Sequence, residues 1–171
     1  MAGLPASYES EGFDRDHLRL PDDMYALVNA VVTANPRTVL VLINGAPVEL
    51  DFVAEPVSIV EAYLGGQAAG SAIVDVLFGD TEPGGRLAES IPVKASDLPS
   101  DADFATHPTQ VRYREGLNVG YRFHDTWGVA PRYAFGHGLS YTTFEWTDAA
   151  VTGSGGEFTV SVTVTNTRER P

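Results

Sequence analysis

The sequence predicts an α/β fold: a partial α/β sandwich on a mostly parallel sheet, followed by an aromatic-rich connector and the first strands of a β-sandwich. Three observations carry this. The run Thr38-Val39-Leu40-Val41-Leu42-Ile43 is continuously apolar and β-branched and closes on Asn44-Gly45, as a strand buried on both faces of a parallel sheet should. Apolar residues on either side of it recur at helical spacing, and beyond Tyr141 the period changes to two.

In chain order, Met24, Leu27, Val28, Val31 and Val32 make Asp22 to Asn35 an amphipathic helix, with Asp22 or Asp23 as N-cap and Pro36 as the stop. The strand from Thr38 to Ile43 follows, then a second buried strand from Ser58 to Leu64. Gly65-Gly66 breaks the chain before a helix from Ala68 to Phe78, with Gly79 suited to its C-terminal turn. After the turn Pro83-Gly84-Gly85, a short strand over Arg86 to Ile91 completes a helix, strand, strand, helix, strand series. From Pro92 to about Phe135 periodicity fades into Pro, Ser, Asp and aromatics, an ordered wrap over a surface. Thr142 to Val151 and Phe158 to Asn166 alternate as two strands around Gly153-Ser154-Gly155-Gly156. Three parts result: 1–92, incomplete at its start; a connector, 93–136; and a truncated β part, 137–171, since one hairpin cannot bury a face. Met1 to Pro5 enters a polar loop with no preceding strand to support it.

Composition narrows the function. The 171 residues are 43% hydrophobic and 20% charged, in the range of a globular protein. No apolar run approaches the roughly 20 residues that span a bilayer, so no membrane partner is expected. The absence of cysteine excludes disulfides, thiolate catalysis and Cys-ligated zinc, and favours a cytoplasmic setting, although a missing N-terminus would hide a secretion signal. With 23 acidic and 11 basic residues the net charge is −12, which repels nucleic acid and anionic lipid and suits a neutral or cationic ligand.

No metal and no cofactor is expected. His17 near Asp14 and Asp16 lacks the convergent ligands of a zinc site, and His107, His124 and His137 read as structural. Gly136-His137-Gly138 lacks the rest of a dinucleotide fingerprint, and Gly65-Gly66-Gln67 has no Lys-Ser/Thr after it. The carboxylates of Tyr8-Glu9-Ser10-Glu11-Gly12-Phe13-Asp14-Arg15, in a polar loop beside glycine, are the candidates for acid/base chemistry. If this stretch is extended, Glu9 and Glu11 share one face about 6.6 Å apart. An acid and a base that act as a pair must flank the reacting group from opposite sides, so a solvated surface role is favoured for Glu9. Asp14 and Arg15 are expected to serve each other or the loop.

This stretch resembles the Ser/Gly-Glu-Gly-aromatic segment of glycoside hydrolase family 3, the β-glucosidase-like enzymes, and the resemblance implies that Glu11 is the general acid/base. Val39 to Leu50, Glu61 to Gln67, Ala72 to Asp80 and Pro83 to Leu87 resemble, in order, that family's α/β-sandwich domain. Tyr113 to Phe123 and Phe135 to Phe144 resemble its passage into an immunoglobulin/fibronectin type III-like domain. The resemblance implies a retaining glycoside hydrolase that removes terminal non-reducing β-D-glucosyl or related residues. It also implies that the nucleophilic Asp lies on a missing N-terminal barrel domain of roughly 250 residues, so the chain alone should be inactive. Closure of Glu11 into an interdomain cleft would remove water and favour the protonated acid. Of the aromatics from Tyr113 to Trp146, most are expected to join domains, with Tyr113 and Trp127 as candidates to stack on the substrate's aglycone side. The alternative is a catalytically inert carbohydrate-binding or interaction fragment.

Overall fold

The computed structural model describes residues 1–51 and 58–168, so the last three positions of the expected 137–171 part lie outside the described residues. Val39–Ile43 (β2) is the centre of a three-stranded, all-parallel sheet, with Ala2–Gly3 (β1) on one side and Ser58–Glu61 (β3) on the other. Leu40 and Leu42 project to one face and Val41 to the other, and all three are buried, which is why the run has no polar alternation.

Helix α1, Asp22–Ala34, brings Val28, with Met24 and Val32 at its edges, onto the Leu40 and Leu42 face. Ala2, Leu20, Val48, Leu50 and Ile91 complete that core. The helix begins at Asp22 as expected, but its N-cap is Pro21 and not Asp22 or Asp23. Proline has no N–H to orphan there, and Asp22 and Asp23 fall in the first turn, where negative charge opposes the helix dipole. Helix α2, Ala69–Phe78, buries Ile73 and ends on Gly79 at φ 82°, the left-handed residue expected there.

The structure departs from the sequence expectation at four places. The N-terminus is not unsupported, since β1 pairs with β2, and Gly3 allows it: a Cβ there would lie 2.0 Å from the Ile43 carbonyl oxygen. The Ser58 to Leu64 strand stops at Glu61, because Tyr63 at φ 46° cannot continue a ladder. No strand forms over Arg86 to Ile91. The N–H groups of Leu87 and Ile91 bond instead to the carbonyls of His137 and Tyr133, so this segment ties down the connector through a single antiparallel bridge, Ile91 with Tyr133. Finally, the connector contains a helix, α3, Tyr121–Trp127, set between Gly120 and Gly128 at positive φ. Its loop is further held by a 2.6 Å ion pair from Arg114 to the buried Asp103.

Beyond it, Phe144–Ser154 (β4) and Glu157–Asn166 (β5) form an antiparallel hairpin around Gly155-Gly156, both at positive φ as a two-residue hairpin turn requires. Asp148, at φ 54°, sits in a bulge where the register shifts between Thr147 and Ala150. The hairpin root is fastened to the α/β part by Arg86, which donates to the Gly138 carbonyl at 2.7 Å, by Ser140 on Glu82, and by Tyr141 on the Val76 carbonyl.

Candidate active site

In an open parallel sheet the loops leaving the carboxyl ends of the strands converge on one edge, where ligands bind. Here those loops are Leu4–Asp16 after β1, Asn44–Pro47 after β2, and Ala62–Gly65 after β3. The first carries the carboxylates singled out from the sequence, and it is not extended. Leu4 continues the β1 pairing through its N–H on the Ile43 carbonyl at 3.1 Å, and the chain then turns at Pro5, whose carbonyl accepts from Tyr8 and Glu9. Ser10 and Phe13 form a bridge, closing Ser10-Glu11-Gly12-Phe13 into a tight turn, with the Gly12 N–H donating to Ser10 Oγ at 3.1 Å. Glu11 is at the apex of this turn, exposed to solvent.

Glu9 does not share a strand face with Glu11, and it is neither free in solvent nor set opposite its neighbour as the second carboxylate of a pair. Both of its carboxylate oxygens accept from the Gly45 N–H, at 2.9 and 3.0 Å. Gly45 has no side chain to obstruct this: a Cβ would lie 2.9 Å from Glu9 Oε1 and 3.0 Å from Leu64 Cδ1. On the far side of the turn Arg15 bonds to the Pro47 carbonyl at 2.9 Å rather than to Asp14. Burial lowers the pKa of its guanidinium from the usual value, against the favourable field of Glu9. His17 has a local role as well, accepting from the Arg19 N–H at 3.2 Å with its ring 6.0 Å from that of Tyr8.

Behind this loop lies a second acidic group that sequence reasoning missed. Glu61, the last residue of β3, accepts from the Tyr63 N–H at 3.1 Å and, weakly, from Asn44 Nδ2 at 3.5 Å. Burial, reinforced by the charge of Glu89, raises its pKa to about 7 against those two donors. The Tyr63 hydroxyl is shielded from solvent and faces Glu89, and burial, with the charges of Glu89 and Glu61 and the contact with Glu89, pushes it up to about 12. Burial also raises Glu89, which the tyrosine opposes. Asn44 donates to the Ala46 carbonyl at 3.0 Å and so shapes the turn that presents the Gly45 N–H. The available signal was an acid closing an otherwise apolar strand, and an Asn44-Gly45 pair that reads first as a turn and only second as an anchor.

Tyr113 and Trp127 are 77% and 65% exposed, and no hydrogen bond or ring contact among the described residues joins either to the Glu11 turn. His124 is buried with Nδ1 2.9 Å from the Val129 carbonyl, His107 accepts from Thr109, and His137 packs its ring on Tyr133. The arrangement thus presents two exposed carboxyl groups between the tethers, Glu11 at the apex of the turn and Asp14 on the side leaving it, with Glu11 the one suited by its place to give a proton to or take one from a group that approaches from outside.

Residues 1–141 match the glycosyl hydrolase family 3 C-terminal domain. The chain is 52% identical over 151 residues to the thermostable beta-glucosidase B of Acetivibrio thermocellus, covering 88% of this chain and 20% of that protein. It is 45% identical over 169 residues to the exo-alpha-(1->6)-L-arabinopyranosidase of Bifidobacterium longum, covering 98% of this chain and 22% of that one. Among solved structures, the beta-glucosidase of Kluyveromyces marxianus in complex with glucose superposes with a TM-score of 0.92 at 41% identity, over 97% of this chain and 20% of that one. The chain therefore spans about a fifth of the length of these relatives.

Proposed function

This chain belongs to glycoside hydrolase family 3, and from that premise we propose that it works as part of a retaining β-glucosidase, supplying the general acid/base, Glu11, but not the nucleophile. The observation that carries this reading is the placement of Glu11: exposed, at the apex of a turn anchored to the carboxyl edge of the parallel sheet. A retaining glycosidase needs two carboxyl groups about 5–5.5 Å apart on either side of the anomeric carbon. A barrel domain elsewhere in the enzyme brings the nucleophilic Asp, which forms the glycosyl-enzyme as Glu11 protonates the departing glycosidic oxygen. Glu11, now ionised, takes a proton from water, and the resulting attack on the anomeric carbon releases the sugar and the Asp carboxylate. Tyr113 and Trp127, with their exposed rings, are available to stack on the aglycone. The relatives act on β-glucosides and on an L-arabinopyranoside, so both sugars belong in the test.

That test combines this chain with a separately produced barrel domain and assays hydrolysis of cellobiose, an aryl β-D-glucoside and an aryl α-L-arabinopyranoside. Hydrolysis is expected to recover on mixing, and Glu11→Gln is expected to lower kcat/KM on cellobiose by about 10²–10⁴-fold, the usual contribution of a general acid. Recovery that is indifferent to Glu11→Gln would place the acid elsewhere.

A further inference from the structure

We propose that Glu9 is a positioning residue for Glu11, fixing the catalytic turn to the β2 edge through the Gly45 amide; this rests on the acid/base reading of Glu11. The turn from Ser10 to Phe13 is exposed, and its one internal side-chain bond is that from the Gly12 N–H to Ser10 Oγ. Its placement therefore depends on what holds its two ends. On the side entering the turn, both oxygens of Glu9 take up the N–H of Gly45, a residue 36 positions away. On the side leaving it, Arg15 holds the Pro47 carbonyl. Both tethers end on the same short loop, Asn44–Pro47, which Asn44 braces internally through the Ala46 carbonyl and which continues directly from the buried β2 strand.

The chemistry of the tether supports the assignment. A carboxylate offers acceptors on both oxygens and no donor, and a charged acceptor on a backbone N–H is about twice as strong as a neutral one. The space for it is specific too, since any side chain at position 45 would displace the Glu9 carboxylate or Leu64. Gly45 is not at positive φ, so alanine there is opposed by contact alone and not by backbone strain. An acid that must protonate one oxygen loses rate steeply when displaced by an ångström, whereas the binding of the sugar on the barrel side does not depend on it.

The experiment uses the full-length enzyme that carries this segment and two substrates. Cellobiose must expel glucose, a poor leaving group as its alkoxide, and needs the proton; 2,4-dinitrophenyl β-D-glucoside expels a stable phenolate and does not. Glu9→Ala is expected to lower kcat on cellobiose by about 10²-fold, the order of loss from a misplacement of about 1 Å, with KM unchanged and kcat/KM on the dinitrophenyl substrate preserved. Gly45→Ala should reproduce this split, and Glu9→Gln, which keeps one acceptor oxygen, should recover part of the cellobiose rate. Equal losses on both substrates in Glu9→Ala and Gly45→Ala would reduce Glu9 to a purely structural role and overturn the proposal, as would full activity in Glu9→Ala. Glu11→Gln separates the two levels. If it shows the substrate split and the Glu9 variants do not, the positioning role alone fails; if it shows none, the acid/base reading fails and takes the positioning role with it.

Discussion

Glu61 closes the apolar strand β3 with a carboxyl group half out of water, between the Tyr63 N–H, the Asn44 amide and the charge of Glu89. In the unfolded chain it ionises near its ordinary value of 4.5, and in the folded chain near 7, so across that interval the folded protein holds a proton that the unfolded one has released. The contribution to stability is complete below the lower value and is lost as pH rises through the upper one. Glu89, also raised by burial, acts in the same direction. Glu61→Gln keeps the shape and removes the titration. We expect the variant's Tm to vary less between pH 4.5 and 7 than that of the unaltered chain and to exceed it above pH 7. Calorimetric scans across that range check this, and parallel Tm curves for the two proteins would show that burial of Glu61 does not govern the acid side of the stability profile.

At the scale of the element, β1 is the smallest piece with the largest consequence, because the loop bearing Glu9 and Glu11 departs from it. Its two residues pair with Leu42 and Ile43, and Gly3 approaches so closely that an added Cβ would meet the Ile43 carbonyl oxygen at 2.0 Å. Two backbones cannot yield as a flexible side chain would. Gly3→Ala is therefore expected to cost about 1–3 kcal/mol, in the range of overpacked cores, and to free the Leu4 amide that bonds to Ile43. Denaturant unfolding and hydrogen exchange at Leu4 measure both, and retained protection there would show that β1 tolerates the side chain. None of this was legible in the sequence, since two residues have no period to read. By contrast β2, α1, α2 and the hairpin strands were legible because each repeats its apolar spacing over several turns or pleats. The strand expected over Arg86 to Ile91 has the composition of one, but its backbone groups are taken by Tyr133 and His137, and α3 is too short for its aromatics to show a helical stripe. In the candidate site, Glu11 stood out through its local motif. The Glu9 contact with Gly45 joins residues 36 positions apart, and no local pattern encodes such a pairing.

At the scale of the molecule, the α/β part has a closed core on one sheet face, while the hairpin lies open, with Phe144, Trp146, Phe158, Val160, Val162 and Val164 all exposed. On the proposed reading the chemistry too is shared with another part of the enzyme. Retaining hydrolysis requires one carboxylate to attack the anomeric carbon while another protonates the leaving oxygen. Of the acids at the carboxyl edge of the sheet, Glu9 is committed to the Gly45 amide and Glu61 is half-buried beside Asn44 and Tyr63, while Glu11, at the apex of its turn, is exposed together with Asp14 and Asp16. One proton donor can assist departure of an alkoxide but cannot hold the sugar through a covalent intermediate. The purified 171-residue chain is therefore expected to show neither a burst nor steady release of nitrophenol from a nitrophenyl β-D-glucoside, even at high chain concentration. Turnover by the pure chain that disappears in Glu11→Gln would mean that a nucleophile is present within these residues and would refute the division of labour between domains.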